Sequence, residues 1–398
     1  ALGYATLGSQ NFTTATNSHN TAVGHAAGNN VTTGTQNTLI GGLSGDALTD
    51  CDFNTTLGYS SLSSDTLGSR SVAIGRSALS AQNFTTATDT NNTAVGFAAG
   101  PSVTTGYSLT FVGADSGSSH LTGAQCTFIG SGSGKFATTS DNSTFVGHEA
   151  GRGITGTKLT GNNNVAVGTF AAPNLQGAAH SNTIVGKSAG GGITTGFENT
   201  FMGIAAGDNL TTGNNNIIIG QSVDTDSVSQ SHAIVIGSGF QGAGNDFSFG
   251  KASNVVSNDF VTDANWSRSS DERLKKNITN QTLGLNFIND LRTVKYNWKA
   301  NGELDASDSQ LAHLRETDDD GNIINYMNTD ATMHNFIAQE VKAALDTAGV
   351  SNFGGWKEDH HGVQQVSREM FVIPLVKAVQ ELSTALDAAL ARITTLEG

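Results

Sequence analysis

Along the first 240 residues the apolar positions come in short bursts that end on glycine. A phrase of the type Asn-Thr-Ala-Val-Gly recurs at Asn20–Gly24, Asn92–Gly96, Asn182–Gly186 and Asn199–Gly203. Looser copies such as Leu39-Ile40-Gly41, Phe128-Ile129-Gly130 and Ile218-Ile219-Gly220 fill the gaps. The anchor glycines stand at 3, 24, 41, 58, 75, 96, 113, 130, 147, 168, 186, 203, 220 and 237. Most steps are 17 residues, with longer steps of 21 that themselves recur, and Asn11–Thr16 returns as Asn83–Thr88. A fixed period of this length identifies a stacked-repeat architecture.

The chemistry of one repeat predicts its shape. The β-branched or aromatic run before each glycine reads as a strand of a few residues. The glycine permits a bend at positive φ or a close backbone approach. A small-residue piece follows, as in His25-Ala26-Ala27-Gly28, and then a polar turn such as Thr32-Thr33-Gly34. One coil carries about three apolar residues and cannot hold itself up, whereas stacked coils share a continuous core. The expectation is a mostly β chain, a β-solenoid of about 17-residue coils over 1–240. The small residues in the second piece suggest tight packing against further copies of the chain. These coils resemble the β-roll heads of trimeric bacterial adhesins of the YadA type, which implies a parallel homotrimer.

Beyond residue 265 the pattern changes. Residues 1–265 hold 7 Lys+Arg, 15 Asp+Glu and 41 Gly, and residues 266–398 hold 13, 19 and 8. Four blocks mark the second part: Ser269–Ile278, Tyr296-Asn297-Trp298-Lys299, Phe336–Val341 and Ile373–Leu382. In that order they resemble the intramolecular chaperone domain of phage tail spikes and fibres, best known from endosialidase tailspikes. The resemblance implies a smaller α+β domain over 270–398 that assembles trimers and then cuts itself off. It implies cleavage of the Ser269–Ser270 bond, with Ser270 as nucleophile and Lys275 as base. Asn335 stands where that family usually has glycine, and a local loop change is expected there.

The spacing of the dyad makes chemical sense. A serine hydroxyl needs a base, and lysine serves only when burial or neighbouring cations favour its neutral form. Asp271 and Arg273 are candidates for support, with Arg273 and Lys276 as sources of cationic pressure. A plain helix N-cap with acidic residues in the first turn is the structural alternative for the same residues. Pro374 suits a first helical position. Leu375, Val379, Leu382, Leu386, Ala389, Ile393 and Leu396 then follow at coiled-coil-like spacing.

Other motifs carry less. Asp318-Asp319-Asp320-Gly321 places Met327 where a calcium loop needs its bidentate Glu, so an Asp-Gly hairpin turn is expected. His360-His361 beside Asp359 reads as a solvated loop, and Cys51 and Cys126 as free cysteines that are partly buried. No cofactor and no metal are expected.

A net charge of −14 argues against a nucleic-acid partner. The longest apolar runs, such as Ile217-Ile218-Ile219, are far too short for membrane insertion. A chain opening on Ala1-Leu2-Gly3 inside its own repeat reads as a piece of a longer protein.

The functional expectation is a viral tail-fibre shaft in the virion, assembled in the host cytoplasm. Its partners would be other tail proteins upstream and a host cell-surface receptor, a glycan or an outer-membrane component. Residues 241–269 break the repeat and form a cap or transition at the mature tip. At this tip, taken from about Gly239 to Ser269, Phe240, Phe247, Phe249, Phe260 and Trp266 suggest a binding surface. A trimeric bacterial adhesin and a glycan-degrading tailspike are the alternatives. The latter needs a carboxylate pair in a groove, and residues 1–265 hold only two glutamates, Glu149 and Glu198.

Overall fold

The computed structural model describes residues 1–259, 267–268, 270–318, 320–325 and 329–397. Phe260, Trp266, Ser269 and Met327 lie outside the described residues. The chain divides into two compact units, Ala1–Ser270 and Asp271–Gly398.

The first unit is a β-solenoid. Each repeat phrase becomes a short strand, from Thr21–Val23 through Asp246–Lys251, and each strand pairs in parallel with its counterpart one coil away. The sheet has 16 strands in all. Its last two, Asn254–Asp259 and Ser267–Arg268, turn antiparallel and end the repeat. Most coils hold one regular strand, and the rest of each coil is turns. The anchor glycines stack with φ near +130°: a Cβ on Gly24 would sit 2.5 Å from the carbonyl oxygen of Gly41, and one on Gly113 would sit 2.6 Å from that of Gly130. Any side chain at these positions would push adjacent coils apart.

Strand alternation divides the phrase. The middle residue points inward: Leu39, Phe111, Phe128, Phe145, Ile184 and Phe201 are fully buried. Phe111, Phe128 and Phe145 stack at centroid separations of 5.0 and 4.8 Å. The asparagine opening the phrase is also buried, as at Asn37, Asn54, Asn92, Asn182, Asn199 and Asn216. Each bridges coils. Asn199 Nδ2 donates to the carbonyl of Gly213 at 2.9 Å, and its Oδ1 accepts the backbone N–H of Asn216 at 3.0 Å.

The small residues face the coil's own interior, not a neighbouring chain as expected. Ala27, Ala99, Ala150 and Ala206 are fully buried in the same core, because a thin coil has room there only for a methyl group. What points outward is the residue just before each anchor glycine. From Val23 through Ile40, Leu57, Ile74 and onward to Ile236 and Phe249, fourteen such residues stand in register on adjacent strands. Leu57 is 48% exposed and Met202 49%.

The second unit has a small core of Leu283, Phe287, Val341, Ala344, Leu345 and Phe371. Three helices frame it: α1 (Leu285–Asn289), α2 (Ala338–Thr347) and α3 (Val372–Glu397, 26 residues). Glu381 of α3 accepts the N–H of Leu285 at 2.8 Å, which ties α3 to the start of α1. Two antiparallel strand pairs are also present among the described residues, Val294–Tyr296 with Met333–Asn335 and Trp356–Glu358 with Gln364–Val366.

α3 begins at Val372, two residues before the proline expected to open it. Pro374 still lies in the first turn, where its missing N–H costs nothing. Its apolar seam is left open among the described residues: Leu375, Val379, Leu382, Leu386 and Ile393 are each about half exposed.

Candidate functional site

The dyad candidates flank a short turn. Asp271 is the N-cap of a 3₁₀ turn over Glu272–Leu274, with its side chain accepting the N–H of Arg273 at 2.9 Å. A cap with an acidic first turn is present, as the structural alternative required, but the turn is only three residues long. Arg273 returns two further bonds to Asp271, Nε at 3.0 Å and Nη2 at 2.7 Å. That paired guanidinium is the main reason the Asp271 carboxyl titrates below the usual carboxylate range. Arg273 therefore directs its guanidinium at Asp271.

Lys275 closes the turn, its N–H donating to the carbonyl of Glu272 at 2.9 Å. Ser270 and Lys275 are both exposed. Ser269 lies outside the described residues, so the expected scissile bond is described from its Ser270 side alone.

Asn335 ends the strand Met333–Asn335, with Val294 directly opposite, so a regular ladder stands where a loop change was expected. A carbon side chain is accommodated because the residue sits in extended backbone, where glycine has no advantage. The next residues, Phe336 and Ile337, lead into α2, and Phe336 packs on Phe371 at 5.0 Å.

The minor motifs resolve as follows. Asp318 accepts the N–H of Asn322 at 2.8 Å in a turn closed by a Thr317–Ile323 bridge, which makes a hairpin turn, while Asp319 lies outside the described residues. His361 stacks on His313 at 3.8 Å and lies tilted by 45° against His360 at 3.8 Å. Among the described residues no group of three side chains could hold a metal, and no helix is long and apolar enough to cross a membrane. Cys51 and Cys126 are free and wholly buried, beyond the partial burial expected. Burial pushes their thiols up to about 12 and about 11.

At the end of the solenoid, burial and a hydrogen bond with Asp208 bring the Asp224 carboxyl up to about 6. Two carboxyl groups in direct contact are closer than the ~5–9.5 Å of a glycosidase pair, so they do not have the spacing of that pair. Of the five tip aromatics, Phe240 belongs to the solenoid core, while Phe249 is 40% exposed and lies 5.6 Å from Phe247.

Residues 270–350 match a peptidase family model described as Chaperone of endosialidase. The matched segment begins at Ser270 and ends before α3. No curated protein and no solved structure matches the chain. The first part of the C-terminal unit is thus similar to a chaperone family whose peptidase classification suggests self-cleavage in general. A β-solenoid followed by such a domain fits a tail fibre with a C-terminal chaperone.

Two features escaped the sequence reading. The outward aliphatic column was hidden because valine and isoleucine before glycine read equally well as core. The buried asparagines were hidden because asparagine beside threonine reads as a turn.

Proposed function

We propose that the chain is the structural and host-contacting part of a viral tail fibre, built as a parallel homotrimer by its C-terminal domain. The observation that carries this reading is the outward column from Val23 to Phe249. Fourteen in-register strands at ~4.8 Å spacing make an apolar strip about 60 Å long, and such a strip is an interaction surface. The exposed seam of α3 continues the argument in the second unit, since a coiled-coil face without a partner asks for other helices. Light scattering tests it: a trimer is expected, and a stable monomer at micromolar concentration contradicts the reading.

The C-terminal unit then removes itself. Ser270 Oγ attacks the carbonyl carbon of Ser269, and Lys275 Nζ takes the hydroxyl proton. The Ser269–Ser270 C–N bond breaks, the amine of Ser270 gains a proton, and the Ser269 acyl group is left as an ester on Ser270 Oγ. Water hydrolyses that ester and frees the shaft.

The exposure of Ser270 and Lys275 in one chain supports a particular timing. An exposed lysine is a poor base, so the reading requires a neighbouring subunit to cover it. Cleavage then follows assembly and leaves a fibre without its folding aid, locked kinetically. The host surface is contacted by the Asn-, Thr- and Ser-rich coils and by the tip around Phe247 and Phe249, with no turnover chemistry in the shaft. Replacing both phenylalanines with serine lowers adsorption of the fibre to its host cells if the tip binds. Unchanged adsorption by an intact trimer removes the tip from the account.

A further inference from the structure

The strands Val294–Tyr296 and Met333–Asn335 pair antiparallel, and the chain between them makes an arm of the C-terminal unit. Two 3₁₀ turns lie in the arm, Asn301–Glu303 and Ala312–Leu314. They brace each other. Asn301 Nδ2 donates to the carbonyl of Leu314 at 2.6 Å, and Arg315 Nη1 donates to the carbonyl of Gly302 at 3.1 Å. The second turn carries His313.

His313 reaches the body of the unit through its ring. The imidazole lies flat on that of His361, with centroids 3.8 Å apart and planes 12° from parallel. His360 lies against His361 at the same separation, tilted by 45°. His360 and His361 occupy the turn between Trp356–Glu358 and Gln364–Val366, and Trp356 and Val366 pack on the core of the unit. Asp359 shapes that turn, its Oδ1 accepting the N–H groups of His361 and Val363 at 2.9 Å each. Gly362 has φ +85°, and a Cβ there would strike the side-chain amide of Gln310. The arm and the turn therefore touch beside the rings as well.

Three imidazoles in one contact titrate as a group. Neutral rings stack favourably, whereas a proton on each of two rings sets like charges ~4 Å apart. The charged groups that face His361 are His313 from the arm, and His360 and Asp359 from its own turn. Asp359 is the one carboxylate among them. On the arm, Asp308 is turned to the N–H of Gln310 and Arg315 to arm carbonyls. Burial first, and then the charges of the other two rings, hold His361 below the usual 6.5.

We infer that the His313–His361 stack is an acid-released latch that holds the arm on the turn Asp359–Gly362. Neutral rings keep it closed. Protonation of both rings parts the turn Ala312–Leu314 from the body, while the strand pair at the base of the arm stays formed. The closed latch favours the neutral His361 ring, so its contribution is complete above pH 6.5 and is lost as pH falls through the lowered value. The inference stands apart from the trimer and cleavage readings, because every group in it belongs to one C-terminal unit.

Hydrogen–deuterium exchange on the full chain tests it, with rates corrected for the intrinsic effect of pH. Protection of the peptide spanning 308–316 is expected to fall roughly tenfold between about pH 7.5 and about pH 5, while α2 keeps its protection. His313→Phe keeps a flat ring that takes no proton, so its arm is expected to stay protected at both pH values. His313→Ala removes the ring and is expected to be open at both. Wild-type protection that does not change with pH overturns the latch. So does a loss in His313→Phe equal to that in wild type, which would assign the release to another group such as His334. Loss of α2 protection in wild type at the acid pH would mean that the whole unit unfolds, and that also overturns the inference. If His313→Phe loses α2 protection at neutral pH, His361→Phe reads the same contact from the other side, and acid release of the arm in that variant overturns the latch.

Discussion

The side-chain carbonyl of Asn37 accepts the backbone N–H of Asn54 at 2.9 Å, one coil further along the chain. The amide of Asn37 meanwhile donates to the carbonyl of Cys51 at 2.8 Å. Asn54 repeats the arrangement toward Ser71 and Gly68. A thin coil has too little apolar volume to fix its neighbours by packing alone, and these amides pin one coil to the next inside the core. Asn199→Ala leaves a buried N–H and a buried carbonyl unpartnered, so we expect a loss of about 2–4 kcal/mol. Chemical denaturation of the shaft measures it, and a loss below ~0.5 kcal/mol would show that the ladder is not structural.

The outward column makes a prediction of the opposite kind. Val112 and Ile129 face away from the coil core and are direct strand partners. Val112→Asp with Ile129→Asp keeps the coil folded by circular dichroism and abolishes the trimer by light scattering. Loss of the coil signal itself would mean that the column supports each chain from within.

His120 sets an acid limit on the shaft. It is fully buried, edge-on to Phe111 and Phe128 at 5.3 and 5.8 Å, with Nε2 against the carbonyl of Gly123 at 3.0 Å. Burial holds its pKa below 6.5, so the folded chain favours the neutral ring. Its contribution is fully present above pH 6.5 and is lost as pH falls toward and through the lowered folded value. We expect the melting temperature to drop on acidification more steeply in wild type than in His120→Leu. Parallel curves would exclude His120 as the cause.

Asp224 acts with the other sign. Its folded pKa of about 6 lies above the ordinary 3.8, so its contribution is greatest below pH 3.8 and is lost as pH rises through 6. Asp224→Asn stays neutral, keeps the acceptor for the N–H of Asn209 and relieves repulsion with Asp208. The variant is expected to melt higher than wild type at pH 7.5, with the gap closing toward pH 5. A gap independent of pH would contradict the shared-proton pair.

The sequence displays the solenoid clearly because its two strictest requirements are glycine at one position and a strand before it. A Cβ at Gly24 or Gly113 meets the next coil's backbone, so the spacing of those glycines is the geometry written out. The direction of the side chains is less readable. Ala22 points in and Val23 points out, which is the reverse of what their sizes suggest. The proposed trimer would account for this, since a residue that is surface in one chain would be core in three. The Ser270 turn shows the same limit. Its capping by Asp271 is local and follows from the residues, whereas the proposed role of Lys275 as a base would depend on surroundings that a single chain does not display.

Self-removal after assembly is the central claim, and intact mass spectrometry coupled to size-exclusion chromatography tests it most directly. Freshly expressed wild-type chain should pass from an intact trimer to a trimeric shaft ending at Ser269 and a fragment running from Ser270 to Gly398. Ser270→Ala and Lys275→Ala should each remain intact and trimeric over the same period. A wild-type trimer that stays whole, a cut at another bond, or cleavage of either variant at the wild-type rate would contradict the account.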